Sequence, residues 1–258
     1  MAVVIGTNSA ALLAAHHLST GRSQLEQAMT RLASGKRINS AKDDAGALGV
    51  AASLLAAVKG ANMAKQNTQA AIAAVQVADG ALVEVENMLQ RVRELKVQSL
   101  STGTYSSTDI TNMNSEITQL SSEIDAIAAN TKFNGTAVSS MSLNPAVRQD
   151  GSTVTMALPA FLSGAVASGS SITNIDTAIN SAAAARGSLG AFLNRLEATV
   201  NNLSSISANT SAAYSRVMDT DYAIETAAVA RGQVLQQAGA AVLAQANASQ
   251  QYVLTLLQ

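Results

Sequence analysis

A mainly α fold is what the sequence predicts: a long antiparallel helical bundle of coiled-coil type with a small β-hairpin region, its N- and C-terminal helices paired. Three observations lead there. Apolar residues recur at alternating three- and four-residue intervals along extended stretches, the spacing of a heptad seam. Aromatic residues are only 3% of the chain, with no Trp and two Pro, so thin, closely approaching helices are expected in place of a thick core. Charge is nearly absent at both ends: residues 1–21 contain no Asp, Glu, Lys or Arg, and residues 222–258 contain only Glu225 and Arg231.

The elements follow in order. The N-terminal segment carries an apolar stripe at Ala15, Leu18, Leu25, Met29 and Leu32. It has the small-residue character of a signal peptide but no basic leading region, and Thr7, Asn8, Ser9, His16 and His17 break its apolar run, so a cleaved secretion signal is not expected. Between Arg31 and Val50 the stripe is interrupted by Gly35, by Lys36, Arg37, Asn39 and Ser40, and by the Asp43-Asp44 pair, which reads as a helix-to-helix linker with a cap. From Ala47 to Val92, thirteen of the fourteen positions at heptad spacing are apolar, with Thr68 the exception. A run that regular predicts one helix of about 80 Å from Ala47 to about Leu100. Its first half is lined by Ala and its second by Val and Leu, so a partner helix can come closer at one end than at the other.

After a turn at Gly103, Ser106 or Ser107 can cap a second helix with Asp109 in its first turn, and Ile110, Met113, Ile117, Leu120, Ile124 and Ile127 continue the same alternation. The period then changes. Asn134-Gly135 and Asp150-Gly151 are hairpin turn signals, the second followed by alternating Val154, Met156 and Leu158. Ser163 to Thr173 is a Gly/Ser-rich connector, after which a third long helix begins near Asn174 and carries its seam from Ala182 through Leu189, Leu196 and Leu203 to Val217. Asp219 and Asp221 interrupt it, and Leu235, Ala238, Val242, Ala246, Val253 and Leu256 trace a last stripe.

Composition also narrows function. A formal charge of -1 gives no pull toward nucleic acid or an anionic membrane, and the Gln and Asn residues recurring through the last 25 positions argue against membrane insertion. The chain has no cysteine, which removes disulfides and thiolate metal sites. His16 and His17 are adjacent, so on a helix they diverge by about 100° and do not form the chelating pair that i, i+4 spacing makes. The Asp pairs lack a placed base and read as caps. No catalytic residue, cofactor or metal ligand is expected, and the chain reads as a structural protein and not an enzyme. Neither end can bury its stripe alone; pairing them covers part of each, and further copies of the chain would cover the rest. At about 1.5–3 kcal/mol per buried Val or Leu, the apolar residues of the two ends can offset the entropy of ordering them, but only once assembled.

At this point a resemblance enters. The stretch RLASGKRINSAKDDAGALGV (31–50) resembles the signature of bacterial flagellins. LQRVRELKVQS (89–99), SEITQLSSEID (115–125), TKFNGT (131–136), ARGSLGAFLNRLEATVNNL (185–203) and QVLQQAGAAVLAQAN (233–247) are similar to that family in the same order. The resemblance implies a subunit that self-assembles into the flagellar filament for motility, in a short form without large outer domains. It implies a discontinuous terminal-helix domain, 1–42 plus 218–258, forming an inner tube, and a rod domain, 43–217, with a β-hairpin and loop region at about 132–173. The residues expected to drive assembly are Leu18, Leu25, Met29, Leu32, Leu235, Val242, Leu243, Tyr252, Val253, Leu254, Leu256 and Leu257. By the same resemblance, Gln90, Arg91, Leu95, Gln98 and Glu116 would form a face for other subunits or for the innate immune flagellin receptor of animals. Implied partners are other copies of the chain in a helical homopolymer, an export chaperone at the C-terminal helix, and hook-associated and cap proteins. The implied location is the extracellular filament, reached through flagellar type III export. The neighbouring readings are a hook-filament junction protein and a secreted coiled-coil signalling or adhesion protein. Lys36 stands where the family commonly has an apolar residue, Lys96 where Ala is frequent, and residues 46–66 are more apolar and Ala-rich than the polar stretch usual there.

Overall fold

The structure, a computed structural model, describes residues 7–157 and 166–255. Five helices account for most of it: α1 (Ser9–Ser34), α2 (Ala45–Ser99), α3 (Ser107–Asn130), α4 (Ile172–Met218) and α5 (Tyr222–Thr255). Between α3 and α4 lie four two-residue strands, β1 (Lys132–Phe133), β2 (Thr136–Ala137), β3 (Ser142–Leu143) and β4 (Met156–Ala157), with a 3-10 turn at Val138–Ser140. The chain divides into two compact units, Ala56–Asn209 and the two flanks Met1–Leu55 with Thr210–Gln258; α2 and α4 contribute residues to both.

In the middle unit, the seam predicted for α2 is buried without a break from Ala61 to Val92. Its one polar member, Thr68, is fully buried and donates its hydroxyl to the Ala64 carbonyl at 2.7 Å, so the seam holds no orphaned hydroxyl. Val75, Leu82, Val85 and Leu89 pack with Ile117 and Ile124 of α3 and with Ile175, Leu189, Phe192 and Leu196 of α4. The α3 N-terminus forms a reciprocal capping box: the Ser106 hydroxyl accepts from Asp109 N–H, and the Asp109 carboxylate accepts from Ser106 N–H at 3.0 Å. Asn134 (φ 49°) and Gly135 (φ 81°) supply the two positive φ values that a two-residue β1–β2 hairpin needs. The second hairpin pairs β3 with β4 antiparallel and is extended by an Ala146–Thr153 bridge, with Gly151 at φ 82° near its tip. Val154 and Met156 pack against the helical core, as their alternation implied, while Leu158 lies outside the described residues.

Toward its N-terminal end the α2 seam departs from expectation. Val50 is exposed and Ala51 is buried instead, because the contact there is with Ile38 of the linker and Met218 at the end of α4, in the flanking unit. Helix α2 is also long and apolar enough, by length and composition, to cross a membrane, with one 18-residue stretch of mean hydropathy 1.4. Its sequence is rich in alanine, which raises hydropathy without bulk.

Candidate assembly surface

The flanking unit is built on a hub. Helix α1 ends at Gly35, whose φ of 68° is the left-handed cap that glycine adopts freely. The chain then pairs with the α4–α5 junction: Arg37 N–H donates to the Met218 carbonyl at 2.6 Å, Thr220 N–H to the Gly35 carbonyl at 3.1 Å, and Lys36 bridges Asp219. Lys36 is tolerated in place of an apolar residue because its backbone makes this bridge while its side chain is exposed. Of the four aspartates read as caps, Asp43, Asp44 and Asp221 hold backbone N–H groups, whereas the Asp219 carboxylate accepts from the Ser215 hydroxyl. Asp43 accepts from the backbone N–H of Asn39 and Ser40, which holds its carboxyl below the usual range, Asn39 contributing most. Asp44 accepts from Ala47 N–H at 2.8 Å and opens α2, and Asp221 accepts from Ala223 N–H at 2.8 Å and opens α5.

From this hub α1 and α5 run side by side. Near the hub Arg31 donates to Glu225 at 3.3 Å; Glu225 is only 6% exposed and also accepts from the Thr220 hydroxyl. At the far end the Asn8 side chain, which also caps α1, donates to the Ala246 carbonyl at 3.0 Å. Between these ends Gly232 lies against Leu25 and Gly239 against Leu18, so closely that a Cβ on either glycine would come within 3.1–3.2 Å of the leucine. Leucines seven apart on α1 thus face glycines seven apart on α5.

The large apolar residues of α5 stay open beside this pair, as expected if pairing covers only part of each end: Leu235 is 51% exposed and Val242 58% exposed, and Val234 and Ile224 are open as well. Glycine takes the inward position because it lets two helices approach closely, and that displaces the larger side chains to the outside. On α1, Leu18, Leu25 and Leu32 are half-buried while Met29, Leu12 and Leu13 are exposed. Leu243 is half-buried; Tyr252, Val253 and Leu254 belong to the last turns of α5, and Leu256 and Leu257 lie outside the described residues. An apolar groove of about 560 Å³ runs beside the pair, lined by Ala14, Leu18, Gly21, Leu235, Gly239 and Val242 among others. His16 and His17 are exposed on α1 with ring centroids 6.1 Å apart. The glycine spacing was legible in the sequence, since Gly232 and Gly239 stand seven apart, but a search for large apolar residues passes over it. The Arg31–Glu225 pair was signalled only by Glu225 being the lone acid of its helix.

A second surface lies on the middle unit. Arg91 donates to Glu116 at 3.0 and 3.1 Å and to Glu94 at 3.3 Å, and these bonds, Glu116 first, push its guanidinium further above its ordinary value. Gln90 is exposed beside them, and Gln98 donates to the Tyr105 hydroxyl at 2.8 Å. Leu95 does not share this face: it is 2% exposed and belongs to the core with Val92 and Leu89, one position before the next heptad slot, which Lys96 occupies. Lys96, unusual for the family resemblance, donates to the Ser168 carbonyl at 2.9 Å and so ties down the connector ahead of α4.

Comparison with known proteins identifies the family. The family model for the bacterial flagellin N-terminal helical region matches residues 5–140, and that for the C-terminal helical region matches residues 172–257. The flagellin of Bacillus subtilis is 35% identical, with 98% of this chain and 99% of the relative aligned. That of Xenorhabdus nematophila is 38% identical over the whole of both chains. A crystal structure of Bacillus cereus flagellin aligns with a TM-score of 0.48 at 30% identity, over 54% of this chain and 88% of that one. The chain belongs to the bacterial flagellin family: it is a structural subunit that self-assembles into the filament of the bacterial flagellum.

Proposed function

We propose that the flanks, residues 1–42 with 218–258, are the polymerising module of this flagellin, and that residues 43–217 are its rod domain. The observation that carries this reading is the inversion on α5: glycines meet α1 within the chain, while Leu235 and Val242 remain open. An isolated subunit would leave those side chains in water, and burial against neighbouring copies regains about 1.5–3 kcal/mol for each. Leu18, Leu25, Leu32 and Leu243 join the internal pair, while Met29, Leu235 and Val242 face neighbours; Tyr252, Val253, Leu254, Leu256 and Leu257 are assigned to assembly from the sequence. Replacing Leu235 and Val242 together with Asp tests this. The double variant should lose polymer in sedimentation and negative-stain microscopy while keeping the helical signal of the middle unit. Filaments of ordinary length would remove the proposal.

The same exposed stripe fits a cytoplasmic chaperone that covers α5 before type III export, without a cleaved signal, to the extracellular filament, where hook-associated and cap proteins meet its ends. On the second surface, Gln90, Arg91, Gln98 and Glu116 are proposed as a face for neighbouring subunits and for the innate immune flagellin receptor, with Leu95 acting only by shaping the helix beneath. Arg91→Ala should lower receptor signalling by about tenfold, the size of a modest hot spot; an unchanged dose response would exclude the receptor role.

A further inference from the structure

We propose that Asp79, Glu86 and Arg93 on α2, read against Asp176 and Arg186 on α4, form a charge code that selects the register of the two helices. The need for a code follows from the seams. Both repeat every seven residues, so sliding α4 by one heptad returns an apolar residue to nearly every contact. A seam of that kind specifies which faces meet and leaves the axial position weakly specified. Polar pairs flanking a seam settle registers in coiled coils, at some cost in stability.

The observed pairs all agree on one register. Asn62 Oδ1 accepts from the Ser207 hydroxyl at 2.9 Å, and Arg93 donates to Asp176 at 2.6 Å. From Asn62 to Arg93 the chain climbs 31 residues, and from Ser207 to Asp176 it descends 31, as two antiparallel helices in one register require. Between them Arg186 donates to Asp79 at 3.0 Å and to Glu86 at 2.8 Å, one heptad apart on α2, which centres it between two turns. Glu86 first and then Asp79 push the Arg186 guanidinium upward, and Asp176 does the same for Arg93.

The order acid, acid, base at 79, 86 and 93 makes the two neighbouring registers unequal to the native one. Sliding α4 one heptad one way puts Asp176 beside Glu86, two carboxylates facing, and moves Arg186 from its two acids to Ile72 and Asp79. Sliding it the other way puts Arg186 between Glu86 and Arg93 and leaves Asp176 without its arginine. Each pair is partly exposed and contributes little alone. The selection arises because either slip removes the Arg93–Asp176 pair, leaves Arg186 one acid in place of two and sets one like-charged pair face to face, while apolar residues still meet apolar residues along the seam.

The chain has no cysteine, so two engineered thiols report register without background. In the full-length subunit with native charges, Asn62→Cys with Ser207→Cys should close a disulfide on mild oxidation, while Gln69→Cys with Ser207→Cys, one heptad away, should not. Adding Asp79→Asn with Arg93→Asp gives Arg186 two acids only in the slipped register. The yield at positions 69 and 207 should then rise at least tenfold while that at 62 and 207 falls. Unchanged yields at both sites in a helical protein would overturn the proposal. Should that variant lose its helical circular dichroism, the decision passes to Arg93→Asp alone against Arg93→Asp with Asp176→Arg. Recovery of the native disulfide in the swapped pair supports the code. No recovery means that loops and packing alone set the register.

Discussion

Gly60 is the residue at which local preference and tertiary packing conflict most openly. It sits inside α2, where glycine costs about 1 kcal/mol relative to alanine. The compensating reason is that the second hairpin lies directly on the helix: a Cβ at position 60 would fall 2.5 Å from the Gln149 carbonyl oxygen. Gly80, on the same helix, has nothing within 4 Å of its missing Cβ. The two should therefore respond with opposite sign. Gly80→Ala should stabilise the subunit by about 0.5–1 kcal/mol in urea unfolding, whereas Gly60→Ala should destabilise it by about 1–3 kcal/mol as the hairpin is pushed off. Equal stabilisation by both would mean that the hairpin does not rest on Gly60.

At the scale of elements, the same small-residue logic governs α1 and α5. Two helices poor in aromatic residues gain most by approaching closely, and Gly232 and Gly239 permit this opposite Leu25 and Leu18. Gly232→Leu should separate the pair: a single added Cβ already lies 3.1 Å from Leu25, and an isobutyl group has no space there. Amide hydrogen exchange in α1 should then rise by at least tenfold, and polymer yield should fall with it. Retained protection and normal yield would mean that the observed face is not the one used. The Arg31–Glu225 pair beside the hub adds a second constraint, since a nearly buried carboxylate left without its arginine is costly.

The whole molecule shows its dependence on pH through its caps, because most of its acids are exposed. Asp109, held by the Ser106 hydroxyl and then by its backbone N–H, Asp150, held by Ser152, and Asp43 all have carboxyls below the ordinary 3.8. A depressed folded-state value means that the unfolded chain takes up protons first as pH falls. The stabilisation is therefore complete above the ordinary value and disappears as pH drops through the lower folded values. Thermal midpoints should be level between pH 7 and about pH 5 and should decline below about pH 4. Asp109→Asn should lower the midpoint at neutral pH and reduce the acid decline; an unchanged slope would remove Asp109 from the account.

Much of this protein could be read directly from its residues. The extent of the three long helices, the cap at Ser106, the turn at Asn134-Gly135 and the role of Asp43, Asp44 and Asp221 depend on spacing and on groups only a few positions away, which a linear sequence displays. The interruption of charge at both ends likewise marked the flanks as partners. What only the tertiary structure decided was which side of each flank turned inward. Leu235 and Val242 formed the evident stripe on α5, yet close approach to α1 selected glycines, and Leu95 left its polar neighbours for the core. The physical reason is common to all three: periodicity states which residues share a face, but whether that face is covered depends on how near the partner helix comes, and that distance is a property of two segments together.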